Sequence, residues 1–251
     1  MRSALFYGDT HYPFQSDAAL RVLYSLTKKL QPDVIIHCGD LVDCWQISQF
    51  DKDPQRKSSL QDDIDEAVPH LKTMRQVAPK AACYLLEGNH ETRLRRTIWR
   101  MNENQRELAR LRAFQRAVTW QNLLELGENG WKFVPAEGQA KARILPKLIV
   151  KHGTTVKKWS GQTAKAEWER YGKSGLSGHT HRLGVFYTND FNGSHVWAES
   201  GCTCALTPEY VEDPSWQQGV LVVTYVGDRF NVEPVYIQQG IGVFRGQGVR
   251  A

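Results

Sequence analysis

The chain has 251 residues, 41% of them apolar and 24% charged, with a formal net charge of +5. That length supports one substantial domain, 1–251, and the composition is that of an ordinary globular protein. No stretch approaches the ~20 apolar residues of a membrane span. No charged-then-apolar leader opens the chain, and five cysteines without a disulfide framework point to a reducing cytoplasm, of the producing cell or of an infected bacterial host.

In chain order, Ala4 to Tyr7 reads as a buried strand that ends in Gly-Asp-Thr-His, carrying Asp9 and His11. Ser16 to Leu30 has helical spacing through Ala19, Leu20, Leu23, Leu26 and Leu30, with Ser16 or Asp17 as cap. Val34 to Cys38 is a second strand, ending in Gly-Asp-Leu-Val-Asp with Asp40 and Asp43. Strand, helix and strand form a βαβ unit that feeds Asp9 and Asp40 into one crevice. Ser58 to Val77 is helical in period, and Pro69 predicts a kink or two shorter helices. Cys83 to Leu86 is a third strand, followed by Gly-Asn-His-Glu with Asn89 and His90. Thr92 to Leu126 is the longest helical region, with Leu94, Ile98, Met101, Leu108 and Leu111 as a core-facing stripe. Segment 92–126 is a candidate helical cap over the crevice. From Trp131 the chain is β-rich, with strands expected at 131–135, 144–151, 184–191, 195–200, 219–226 and 231–237, and one helix from about Trp159 to Tyr171. Within it, Leu148 to Val150 leads into Lys-His-Gly with His152, and Gly-His-Thr-His-Arg supplies His179 and His181. Parallel units first and antiparallel strands later predict an α/β fold of two mixed sheets packed face to face, with helices outside.

Two Asp, one Asn and four His at converging strand ends suit two divalent metals side by side. Such a pair, ~3.5–4 Å apart, polarises a phosphoryl group and holds a bridging water as hydroxide near neutral pH. Imidazole and carboxylate donors favour manganese foremost, with iron, zinc, nickel or cobalt as alternatives, over calcium.

These five motifs, in this order, resemble the calcineurin-like metallophosphoesterases. The resemblance spans roughly residues 3–202 and implies a four-layer α/β/β/α sandwich. It also implies Asp9, His11 and His181 on one metal, Asn89, His152 and His179 on the other, and Asp40 bridging both. His90 matches the family's non-ligand catalytic histidine, and Asp43 the aspartate that pairs with it in related protein phosphatases. His90, held as an imidazolium by Asp43, is then expected to protonate the leaving oxygen. The stretches Phe-Asp-Lys-Asp-Pro (50–54), Gln-Thr-Ala-Lys-Ala (162–166) and Glu-Ser-Gly-Cys (199–202) are similar to a phage and prophage branch loosely described as DNA-repair-exonuclease-like.

The arginines by which serine/threonine phosphatases grip phosphate are missing: the matching positions hold Cys44, Trp45 and Glu87. Arg93, Arg95, Arg96 or Arg182 are candidate replacements. Eight arginines against three glutamates between Glu91 and Arg116 account for the whole +5 excess, and Lys141 to Lys165 adds seven basic residues with no acidic one. A phosphodiester, DNA or RNA, is therefore the expected substrate, although both basic stretches also read as solvated surface. The alternatives are a phosphomonoesterase or cyclic-nucleotide phosphodiesterase, and a nucleic-acid-binding protein with a vestigial metal site. His37 reads as a core histidine and His70 as a surface one. Cys202 and Cys204 read as neighbours on one strand face, with a soft-metal site as the other reading. Oligomeric state has no signature in the chain.

Overall fold

The computed structural model describes residues 1–207 and 214–250. Its first layer boundary is a sheet of eight strands. Strands β1 (Arg2–Tyr7), β2 (Val34–His37), β3 (Ala82–Leu86) and β4 (Trp131–Val134) run parallel. On the other side of β1, β9 (Gly219–Val226), β10 (Arg229–Gln238), β11 (Ile241–Phe244) and β12 (Gln247–Arg250) continue antiparallel, giving the order β12-β11-β10-β9-β1-β2-β3-β4. The second sheet has β5 (Ile149–Lys151), β6 (Gly175–Ser177) and β8 (Gly193–Ser200) parallel, with β7 (Leu183–Asp190) antiparallel at its edge.

Side-chain alternation sets the layers. Leu5, Tyr7 and Ile35 face helices α1 (Asp17–Leu30) and α2 (Leu60–Val77) through Leu23, Leu26, Ile64 and Leu71. Ala4, Phe6, Ile36 and Val223 face the opposite way and meet Val150, Leu176 and Ala198 of the small sheet. The outer face of that sheet packs Trp197 and Ile149 against α7 (Gln162–Tyr171) through Ala164 and Trp168. The result is the expected α/β/β/α sandwich of two mixed sheets. No helix among the described residues is long and apolar enough to cross a membrane.

Several elements depart from the expectation. Helix α2 runs unbroken through Pro69, which lies on the solvent face, so water can serve the carbonyl that the proline leaves unbonded. The region 92–126 is four helices, α3 (Thr92–Trp99), α4 (Glu103–Arg110), α5 (Arg112–Ala117) and α6 (Trp120–Leu123). An Asn102 capping box, extended backbone at Leu111 and a Thr119 cap restart the chain three times. Leu108 and Leu111, expected in the core, are 62% and 56% exposed as a consequence. The strand expected over 144–151 shortens to β5, preceded by a bridge from Leu145 to Leu148. Strands β6, β11 and β12 were not expected.

Candidate metal centre

The parallel strands of both sheets end at one edge of the sandwich. Asp9, Asp40 and Asn89 follow β1, β2 and β3, His152 and His179 follow β5 and β6, and His181 precedes β7. Asp9, His11, Asp40, His179 and His181 all have φ between 50° and 73°, a left-handed backbone that side-chain-bearing residues rarely adopt. Glycines make room for these turns. Gly39 has φ of 107°, and a Cβ on Gly88 would lie 2.1 Å from Asp40 Oδ1.

All seven expected ligands come together. Asp9, His11 and His181 bring one ligand atom each within 4.8 Å of one another, and Asp40, His152 and His179 form a second such trio. Asn89 Oδ1 joins the second at 2.9 Å from His152 Nε2. Asp40 Oδ2 lies between the trios, 3.8 Å from His11 Nε2 and 3.3 Å from His152 Nε2. In three of the four histidines the remaining ring nitrogen is already committed. His152 Nδ1 donates to the Cys38 carbonyl at 2.9 Å, and His11 Nδ1 meets Asp43 Oδ2 at 3.2 Å. Cys204 Sγ stands behind His181 Nδ1 at 4.0 Å, and the Asp9 carboxylate accepts from the His179 backbone. Pinning one nitrogen so that the other points inward is how metal-binding histidines are oriented. The donor set therefore fits two divalent cations.

The carboxylates and imidazoles of the cluster shift one another's pKa values. Burial alone would push the His152 and His181 pKa values down, but Asp40 beside the first and Asp9 beside the second push them up, to about 9 and about 10. Burial would likewise raise Asp9 and Asp40, and the same histidines hold both below the usual carboxylate range. Asp43 is lowered by its contact with His11 against the pull of burial.

His90 sits beside this cluster, Nε2 3.8 Å from Asp40 Oδ2. Its Nδ1 donates to the Asp43 backbone carbonyl at 2.6 Å, with the Asp43 carboxylate at 3.5 Å. Arg93 donates to His90 Nε2 at 3.0 Å and to the same carbonyl at 2.7 Å. Burial, with help from His11 and Arg93 and against the carboxylates of Asp40 and Asp43, lowers the His90 pKa to about 4. The Asp43 carboxylate lies nearer to His11 than to His90.

The cluster floors a groove of about 660 Å³ lined also by Trp45, Phe50, Asp51, Asp53, Arg56, Arg93 and Trp216. Of the four arginines expected there, only Arg93 lines it. Arg95 pairs with Glu137 at 2.7 Å, Arg96 is exposed, and Arg182 binds the Lys157 carbonyl at 2.9 Å and Ser215 at 3.1 Å. Arg93 is also the one residue of 92–126 in the groove lining. Two members of the second basic stretch line another cleft. Arg143 and Lys147, with Arg2 and Lys173, line a separate cleft by the N-terminal ends of β1 and β2.

Sequence reasoning missed several residues that position the ligands. Glu91, fully buried, accepts from the backbone N–H of Asp40 at 2.8 Å, Leu41 at 2.7 Å and Gly88 at 2.8 Å. Burial and the charge of Asp40 push its pKa up to about 7 against these donors. Gln139 ties the Glu87 carbonyl, at 2.7 Å, to the His152 N–H, at 2.8 Å. Glu199 joins Thr180 to the N-terminus of α7, accepting at 2.7 Å from the hydroxyl and at 2.9 Å from Gly161 N. Arg56 lies on a loop with no periodic signal, whereas Trp216 is one of five tryptophans, with Trp99, Trp120, Trp159 and Trp168, that the sequence offers for base stacking or for core and rim packing, and it is the one of the five in the groove lining. His37 is the core histidine expected, bonded to Thr10 Oγ1 at 2.9 Å. His70 is buried instead of exposed, between the hydroxyls of Tyr7 and Tyr24 at 3.0 and 2.8 Å, because the α2 face opposite Pro69 packs on β1.

Residues 3–183 match the family model for Calcineurin-like phosphoesterase. This chain belongs to the calcineurin-like phosphoesterase family. Family membership and the paired donor trios together support a metal-dependent phosphoesterase. Among curated relatives, the Gene 54 proteins of Mycobacterium phages L5 and D29 are each 28% identical, over 247 and 251 residues, covering 93% of this chain and 92% of theirs. Among solved structures, Vps29 from Entamoeba histolytica complexed with zinc aligns with a TM-score of 0.47 at 12% identity, covering 98% of this chain and 95% of that one. The E. coli phosphoesterase YfcE aligns with a TM-score of 0.37 at 13% identity, covering 94% and 100%.

Proposed function

We propose that this family member is a dinuclear-metal-dependent phosphodiesterase acting on nucleic acid, with manganese as its first-choice ion, in the cytoplasm of a bacterial cell. The observation that carries the reading is the open groove with a single guanidinium beside His90. A phosphomonoester brings about two negative charges and one substituent, and phosphatases meet it with several cations. A diester brings one charge and two substituents, which suits one arginine at the phosphate and a groove whose lining continues past the cluster, to Trp216 on one side and to Phe50 and Arg56 on the other.

Held by the two donor sets, divalent cations would supply Lewis acidity toward a phosphoryl oxygen and lower the pKa of a shared water. Asp9, His11, His181, Asn89, His152 and His179 hold them, and Asp40 spans both sets. Arg93 binds a non-bridging oxygen of the substrate. In doing so it leaves His90 Nε2, and the phosphate's negative charge lets that nitrogen take a proton from solvent. His90, kept in register by the Asp43 carbonyl, then donates this proton to the departing ester oxygen.

The test is initial rates on a chromogenic phosphate diester and its matching monoester, with manganese and with Asp40→Asn as the blank. A diester preference that Asp40→Asn abolishes is expected. A monoester preference overturns the proposal.

A further inference from the structure

Aromatic rings stand on both sides of the donor cluster. The His11 ring lies between those of His90 and His181, with centroids 4.5 and 4.9 Å away. On the His181 side Trp216 stands edge-on, centroids 4.2 Å apart at 68°. On the His90 side Phe50, 76% exposed and outside every apolar cluster, lies 6.0 Å from the Arg93 guanidinium. Arg56, also on the groove lining, stands 4.5 Å from the Phe14 ring and 5.5 Å from the Trp45 ring. One exposed ring is ordinary on a protein surface. Rings at both lips of a groove, with guanidinium groups beside them, have the composition of a single-strand nucleic-acid cleft, where bases stack on side chains and cations hold the backbone.

We propose that Phe50 and Trp216 stack the two nucleobases flanking the phosphate, which makes the substrate single-stranded nucleic acid or a short oligonucleotide; this rests on the phosphodiesterase reading of the same groove. Asp51 and Asp53 on the lining sharpen the choice. Their carboxylates repel a polyphosphate chain or the second backbone of a duplex. They can accept hydrogen bonds from base amino groups or sugar hydroxyls. A paired duplex buries its base faces and offers nothing to stack.

The experiment measures binding of a fluorescein-labelled oligothymidylate and of an abasic oligonucleotide of equal length and charge to the full-length Asp40→Asn variant. Stacking is worth roughly 5- to 150-fold in affinity per base, so the base-bearing strand is expected to bind at least about 5-fold tighter. Adding Phe50→Ala or Trp216→Ala is expected to bring the ratio toward one. Phe50 is exposed, so its replacement leaves the fold intact even if that of Trp216 does not. Equal affinity for the two strands, or a ratio that neither substitution moves, overturns the stacking proposal. Hydrolysis of the oligothymidylate by the unmutated protein is followed separately. Failure there overturns the phosphodiesterase reading, whatever the binding ratio shows.

Discussion

Replacing Glu91 by Gln removes one acceptor oxygen from a point where the β2 and β3 loops meet. Glu91 Oε2 takes the N–H of Asp40 and of Gly88 at 2.8 Å, while Oε1 takes Leu41 at 2.7 Å and Val42 at 3.4 Å. The side chain is fully buried, so bulk water is not there to substitute. Glutamine keeps one oxygen for one pair of donors and turns its NH2 toward the other, donor facing donor. If the oxygen stays with Asp40 and Gly88, the Leu41 N–H loses its partner. A buried donor without an acceptor costs about 1–3 kcal/mol, and for a chain of this size about 2 kcal/mol lowers Tm by roughly 4–8 °C. Glu91→Ala removes every acceptor and leaves a void, so about 4 kcal/mol or more is expected. The assay is thermal and urea unfolding of metal-free protein at pH 8, above the Glu91 pKa of about 7. Because burial and Asp40 raise that pKa above its unfolded value, the unmutated protein gains stability as pH falls from 8 to 5.5 and the Gln variant does not, so the gap between Glu and Gln widens at pH 5.5. A Glu91→Gln midpoint within about 1 °C of the unmutated protein at pH 8 would refute the reasoning, because that shift is far below the cost of one orphaned donor.

His70 has its pKa lowered to about 3 by burial, against about 6.5 in the unfolded chain, so stability is full above pH 6.5 and is lost as pH falls toward 3. Its share is about 1.4 kcal/mol per pH unit; His70→Gln should flatten urea-denaturation stability between pH 6 and 4 by that slope, and parallel curves would count against it. The Lys151 Nζ–Glu167 Oε2 pair, 2.9 Å apart and buried, should behave asymmetrically. Lys151→Met alone is expected to lose about 3–5 kcal/mol in urea unfolding, and adding Glu167→Leu to recover most of it. Metal binding should release protons, since His152 and His181 hold theirs up to about pH 9 and 10. Calorimetry at pH 7.5 in buffers of different ionisation heat is expected to read between one and two protons per protein; none would contradict the site electrostatics.

The ligand set was legible because five of its seven members sit next to a glycine at the end of a short apolar run, and His11 and His181 follow two residues after such a member. The turn, the left-handed backbone and the donor are written in three or four adjacent residues such as Gly39-Asp40. The layers were legible for a related reason, the alternation of buried faces along β1 and β9. Strands β11 and β12 were not, because Gly240, Gly242, Gly246 and Gly248 break any alternation and the pairing partner supplies the order. Strand β6 is three residues long, too short for a period to show. The break-up of 92–126 was written in Asn102 and Thr119, caps that a continuous apolar stripe outweighed. Glu91 gives no signal of its own, since a buried carboxylate that serves backbone donors looks in sequence like any surface glutamate. The groove walls came from loops, where Phe50, Arg56 and Trp216 follow no repeat.

The two sheets divide the donors between them. Asp9, His11, Asp40 and Asn89 belong to loops of the large sheet, while His152, His179 and His181 belong to loops of the small one. Each trio draws on both, so whatever fills the cluster works as a clasp across the seam of the sandwich. Its binding energy is then part of the energy that joins the halves. Stripping the ions would free that seam at the groove end alone, while the apolar contacts among Phe6, Ile36, Leu176 and Ala198 hold the layers together. The sandwich would loosen like a book held at the spine, and the edge that opens is the one a substrate enters.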